Sequence, residues 1–392
     1  MKIKYSEMIQ RLPEQFFASL IGKVERLAKE GHDVINLGQG NPDGRTPDNI
    51  VRKLQEEAAN PKFHRYSPFT GHAFLKEAIS TFYKREYNVD IDPEKEVAVL
   101  FGGKAGVVEI SQCLLNPGDI CLVPDPGYPD YLSGIAIANA EVSTLPLTAE
   151  NNFLPDYDLV DKKILEKAKM MFVNYPNNPT GAVATKEFYE DTVRIADKYQ
   201  IAVISDFAYG AIAFDGHKPV SFLQIEGAKE VGIEIYTLSK TYNMAGWRIA
   251  FAVGNPDIIR VINLIQDHYY VSLFGGIQAA AAEALTGPQD SAKLIAATYE
   301  SRRNTFFNAL NKIGWQAEKN AGSFFAWLPV PKGLSSVETA DLLLQKAHVV
   351  VAPGLGFGKH GEGYIRAGLL ADETRLLEVV DRISKLSLFD QY

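Results

Sequence analysis

The chain has 392 residues, 46% of them hydrophobic and 22% charged, with a formal net charge of -8 and a pI near 5.5. Such a chain suffices for one large domain plus a smaller one, and its acidic balance leaves no basic field for nucleic acid or an anionic membrane surface. No apolar run approaches the roughly eighteen residues of a membrane span, the start MKIKYSEMIQRLP lacks a signal-peptide core, and Cys113 and Cys121 lack metal-ligand spacing, so a cytoplasmic protein with reduced thiols and no metal site is expected.

Residues 14–30 carry Phe17, Leu20, Ile21, Val24 and Leu27 at helical spacing, and Gly31 follows as a C-cap. A short strand, Val34 to Leu37, leads into the turn-rich GQGNPDGRTP. Between 48 and 87 two helical patterns flank the aromatic loop FHRYSPFTG. The middle of the chain then repeats one theme: a short apolar run, turn residues, and a helical segment. The runs lie at 97–101, 120–123, 170–173, 201–204, 235–238 and 249–253. Their hydrophobicity is continuous rather than alternating, which implies strands covered on both faces and an α/β layered sheet that is mostly parallel. After about residue 285 long helices alternate with short strands at 324–327 and 349–351, an α+β pattern. The expected organisation is a large α/β domain of residues 46–285 and a small α+β domain of residues 1–45 and 286–392.

Ligands of such sheets bind beyond the carboxyl ends of the strands, and the polar clusters lie there. Phe101-Gly102-Gly103-Lys104-Ala105-Gly106 opens a helix, as either a tight turn or an anion site. Asp125-Pro126-Gly127-Tyr128-Pro129 projects Tyr128 from a turn. Asn174-Tyr175-Pro176-Asn177-Asn178-Pro179-Thr180-Gly181 makes a stiff loop able to hold an amide against a ligand. Ser205-Asp206 puts a carboxylate directly after an apolar strand, where it needs a cation or a donor. Tyr236-Thr237-Leu238-Ser239-Lys240 delivers a lysine, with Arg248 soon after, and Tyr364-Ile365-Arg366 sets an arginine in a small apolar strand. Each has a structural reading of its own: a surface lysine, an ion pair, a plain turn. Jointly they specify a site for pyridoxal phosphate, which needs a reactive lysine, an acidic partner for its ring nitrogen and a phosphate anchor.

On these motifs the chain resembles, over nearly its whole length, the class I pyridoxal-phosphate aminotransferases of fold type I. The resemblance implies that Lys240 carries the cofactor, that Thr237, Ser239, Arg248 and the amides of Lys104 and Ala105 hold its phosphate, and that Asp206 pairs with its ring nitrogen. It implies Asn178 and Tyr209 on the ring oxygen, Tyr128 stacked on the ring, Gly40 and Arg366 on the substrate carboxylate, and Asn178 beside them. Tyr66 is similar to a tyrosine that reaches the phosphate in the neighbouring subunit, which implies a homodimer. Departures from the common pattern are Asn41, Ala105 and Phe207, the first and last at frequent Glu positions. QFFASL, LFGGKAG and AENNFLPDY look most like bacterial methionine-salvage transaminases, with diaminopimelate-type transaminases more distant.

The activity implied is amino transfer between an L-amino acid and a 2-oxo acid. With no second arginine evident for a distal carboxylate, and with Phe16, Phe17, Tyr66, Tyr128, Tyr269, Tyr270 and Phe274 available as walls, a neutral substrate such as methionine or 4-methylthio-2-oxobutanoate is expected. A β-elimination lyase on the same scaffold is the nearest alternative, and a non-catalytic ligand-sensing domain is the alternative from another class.

Overall fold

In the computed structural model the described residues are 3–13, 18–270 and 272–389. A two-residue strand, β1 (Ile35–Asn36), precedes the seven strands of one sheet: β2 (Val97–Leu100), β3 (Ile120–Asp125), β4 (Glu141–Pro146), β5 (Ala168–Asn174), β6 (Ala202–Asp206), β7 (Gly232–Thr237) and β8 (Ala250–Gly254). Their order is β2-β8-β7-β6-β5-β3-β4. β3 to β7 pair in parallel, whereas β8 runs antiparallel to both β2 and β7. All six apolar runs are strands of this sheet. The one that the pattern misses, β4, lies at the edge with most of its side chains exposed, so it has no apolar run to betray it.

Both faces are covered, as continuous hydrophobicity requires. On one, Phe82 and Tyr83 of the helix Ala73–Tyr87 pack with Tyr236 and Phe251. On the other, Val107 and Ile110 of the helix Gly103–Leu114 and Ile259 and Ile262 of the helix Pro256–Tyr269 pack with Leu100 and Ile235. The reversal of β8 places the site. Thr237, the last residue of β7, pairs with Ala250, the first of β8, and Ala250 also pairs with Leu100 at the end of β2. Lys240, Arg248 and Gly102 therefore emerge at one edge of the sheet although one of their strands runs the other way.

A second core gathers the two ends of the chain. β9 (Phe325–Pro329), β11 (Ala352–Pro353) and β12 (Tyr364–Gly368) form an antiparallel sheet in the order β11-β12-β9, and β10 (Val349–Val350) pairs in parallel with β1. Ile35 and Leu37 are buried here with Phe306, Phe307, Trp315 and Val379. The predicted first helix spans Ala18–Lys29. It ends at Gly31, whose φ of +89° suits a glycine, and the His32 amide donates to Leu27 O at 3.1 Å. Positions 14–17, with Phe16 and Phe17, lie outside the described residues. Among those described, no helix is long and apolar enough to cross a membrane.

Candidate active site

At the end of β7 the Thr237 hydroxyl accepts from the Ser239 amide at 3.2 Å and donates to Ser239 Oγ at 2.9 Å, capping the single helical turn Leu238–Thr241. That turn lifts Lys240 off the sheet. Its Nζ donates to Gly40 O at 2.7 Å and lies 5.4 Å from the Phe324 ring. Burial, then the positive charges of Arg366 and Arg248, bring its pKa down to about 8 against the opposing pull of Asp206. Arg248 itself is left-handed (φ 56°) and anchors Nη1 on Ala245 O at 2.8 Å. Gly102, at φ +93°, lies so close that a Cβ there would stand 2.5 Å from Arg248 Nη2. The backbone conformation favours glycine at 102, and a side chain there would displace the Arg248 guanidinium.

Asp206 closes β6, 9% exposed. Its Oδ2 accepts from the Tyr131 hydroxyl at 2.7 Å, and its backbone carbonyl accepts from Asn174 Nδ2 at 2.8 Å. Burial lifts its pKa to about 6, opposed by Tyr131, the Ala208 amide and the charge of Lys240. The two asparagines of the proline-rich loop divide their work. Asn177 turns inward, accepting from the Thr180 amide and hydroxyl at 2.9 and 2.8 Å, and so stiffens the loop. The Asn178 backbone amide donates to Asn174 Oδ1 at 2.9 Å, and its side-chain Oδ1 accepts from Arg366 Nη1 at 2.8 Å. That leaves its side-chain N–H groups to serve a ligand.

Arg366 also donates Nη2 to Gly38 O at 2.8 Å, and its guanidinium is flanked by the rings of Phe325 and Phe357 at 4.0 and 4.6 Å. Its buried Nε has no hydrogen-bond partner among the described residues. Burial draws its pKa down to about 10, so it stays cationic at neutral pH. Tyr209 is fixed edge-on against Phe324 and Phe325 at 5.3 and 5.8 Å.

These groups share one cavity of about 680 Å³, within the usual range for a small-molecule site. Of the thirteen candidate residues, eleven line it; Ala105 and Tyr66 do not. Lys104 contributes to the rim while its ammonium pairs with Asp130 at 2.8 Å. Tyr66 stands 89% exposed. The expected aromatic walls need correction. Tyr128 lines the cavity, but Tyr269, Tyr270 and Phe274 do not; Tyr270 packs on Phe101 at 4.4 Å instead. The apolar wall comes from Ile21 and Val24 of the helix Ala18–Lys29, Val350 of β10, and Phe325 and Phe357, elements that only the tertiary fold brings together. Sequence reasoning also missed Tyr131, whose partner Asp206 lies on a different element 75 residues away.

The model for the family described as aminotransferase class I and II matches residues 32–383. The chain is 61% identical to L-glutamine--4-(methylsulfanyl)-2-oxobutanoate aminotransferase of Bacillus subtilis (strain 168), covering 100% of this chain and 98% of that one. It is 43% identical to LL-diaminopimelate aminotransferase of Halothermothrix orenii over 96% of this chain and 97% of that protein. The substrate-bound structure of BacF from Bacillus subtilis superposes with a TM-score of 0.95 at 51% identity, covering 99% of this chain and 98% of that one. The α/β sheet with reversed β8, the strand-end lysine and the full-length likeness agree, and neither a lyase nor a sensing domain is needed to account for them: the chain belongs to the class I and II aminotransferases.

Proposed function

We propose that this aminotransferase moves an amino group between neutral partners, with 4-(methylsulfanyl)-2-oxobutanoate as an acceptor, glutamine as a donor and pyridoxal 5'-phosphate as the carrier. The observation that carries the substrate class is the use of charge in the cavity. Among the described residues four cations line it: Lys104 is paired with Asp130, Arg248 stands at Gly102, and Lys240 and Arg366 serve the reacting centre. None of these is left for a second carboxylate, and Glu25 on the helix Ala18–Lys29 opposes one. A thioether or a carboxamide side chain meets Ile21, Val24 and Phe357 without that conflict. The name of the relative that is 61% identical supports the same pair of substrates.

The residues fit the cofactor. The space that Gly102 keeps open beside Arg248, with the Thr237 and Ser239 hydroxyls, suits a phosphate dianion. Asp206 suits a protonated ring nitrogen, Asn178 and Tyr209 a ring oxygen, and Tyr128 the ring face. Bound there, pyridoxal phosphate supplies an electron sink for the pair left when the substrate's α-proton departs. Lys240 anchors the carrier, takes that proton and returns it, a task suited to an amine that titrates near pH 8. Arg366, braced by Asn178 and Gly38, holds the substrate carboxylate and so orients the α-carbon towards Lys240. Tyr66 and Phe69, 89% and 56% exposed, lie on the surface proposed to meet a second copy, where Tyr66 would reach the neighbouring cavity.

The test is a panel of amino donors with 4-(methylsulfanyl)-2-oxobutanoate as acceptor. Glutamine is expected to exceed aspartate and glutamate by about tenfold or more in kcat/KM, the worth of one unpaired charge in a binding site. A preference for the dicarboxylic amino acids overturns the substrate reading.

A further inference from the structure

One tyrosine at the start of the helix Asp130–Ala138 has no place in the family motif quoted above, yet it makes a direct side-chain contact to Asp206. Tyr131 is fully buried, its ring stacked on Phe172 at 4.3 Å and 9° and edge-on to Tyr128 at 5.5 Å. Two rings therefore fix where its hydroxyl points. That hydroxyl lies 2.7 Å from Asp206 Oδ2, the short separation of a hydrogen bond to an ionised oxygen. The bond has one available direction. Burial and the charge of Asp206 hold the Tyr131 hydroxyl well above its ordinary pKa, so it keeps its proton and donates.

The surroundings give Asp206 few other means of staying charged. Burial favours the neutral acid. The titratable groups facing it are Tyr131, Tyr128 from the same turn, Tyr209 from its own loop, Tyr189 from the helix Lys186–Tyr199, and Lys240 from the turn after β7. Lys240 is the cation of that set, and its Nζ is directed to Gly40 O. We infer that Tyr131 is a positioning residue that holds the Asp206 carboxylate in its ionised form and aims its other oxygen at the cavity. The turn Tyr128–Tyr131 thus serves two sides of one site, with Tyr128 on the cavity wall and Tyr131 behind the carboxylate.

The inference rests on Asp206 as the acidic partner of the cofactor, and the experiment separates the two. In the cofactor-free protein, the carboxylic C=O stretch of Asp206 is followed against pH by infrared difference spectroscopy, with Asp206→Asn as the blank. Tyr131→Phe, which removes one hydroxyl and keeps both ring contacts, is expected to raise the titration by about one pH unit, since the lost donor favoured the charged form. In the loaded enzyme the acid limb of kcat moves the same way, with KM changed less than about twofold. A 3-fluorotyrosine placed at position 131, a stronger donor of nearly the same shape, moves the titration in the opposite direction, which no loss of packing can do. An unchanged titration in both variants overturns the role of Tyr131 whatever happens to the rate. Full activity in Asp206→Asn overturns the assignment of Asp206, and the infrared titration then still decides what Tyr131 does to its proton.

Discussion

Asp206 and Glu234 lie on the adjacent strands β6 and β7, one register step apart, with Ser205 directly opposite Glu234. Both are carboxylates buried in one sheet. Glu234 is mid-strand and fully buried, and it accepts from Ser221 Oγ at 2.7 Å, Tyr83 OH and the Phe222 amide at 2.9 Å, and Ser205 Oγ at 3.2 Å. These partners are neutral, and burial lifts its pKa to about 7. Asp206 has one side-chain donor, an ammonium across the cavity and a ligand-sized space before it. Burial raises both pKa values, so a shifted pKa alone does not mark a catalytic group. What separates the two is the strand end: Glu234 ties the sheet to the 221–222 turn and the helix Ala73–Tyr87, while Asp206 faces the cavity.

Substitutions should separate the two regions cleanly. Lys240→Ala, on the side of Asp206, is expected to lower kcat by about 10⁴-fold or more, the scale of losing a nucleophile and general base together, with thermal unfolding little changed. Retained turnover would remove the strand-end site from the mechanism. Glu234→Ala should do the reverse. It strands four donors, costs about 3 kcal/mol of stability by denaturant unfolding, and leaves kcat per folded molecule within about twofold; a large kcat loss in fully folded protein would erase the contrast.

A finer test uses pH. The folded pKa of Glu234, about 7, lies above its ordinary 4.5, so the folded state binds the proton more tightly. Its contribution to stability is complete below about pH 4.5 and is lost as pH rises through about 7. Glu234→Gln, which cannot titrate, should flatten the unfolding free energy across that window without changing kcat. An unaltered slope would mean that the carboxylate is not the titrating group. The smallest effect belongs to Lys104→Met. Its pair with Asp130 is half open to solvent, and such pairs are worth about 0–1 kcal/mol, so stability should hold to within that range. A loss of several kcal/mol would show the rim to be structural.

The same contrast explains what was legible in the sequence. Strands buried on both faces leave unbroken apolar runs, so β2, β3 and β5 to β8 could be read directly, whereas the exposed edge strand β4 could not. Candidate site residues in the segments that follow such runs, Asp206, Asn178 and Lys240, were legible because a buried polar group there needs a ligand or a partner. Their supports were not. Tyr131 and Asn174 act through the back of Asp206, and nothing in the spacing of a helix start or a strand end tells which neighbour they meet. The apolar wall of the cavity is the extreme case: Ile21, Val24, Val350 and Phe357 come from separate segments, while the more conspicuous Tyr269, Tyr270 and Phe274 lie elsewhere.

The proposed mechanism requires the lysine at the end of β7 to carry the cofactor. Borohydride reduction of the protein loaded with pyridoxal 5'-phosphate, followed by peptide mass mapping, tests it directly. The expected result is a pyridoxyl group on Lys240 and on no other lysine; a label on Lys104 or elsewhere, with Lys240 unmodified, would contradict it.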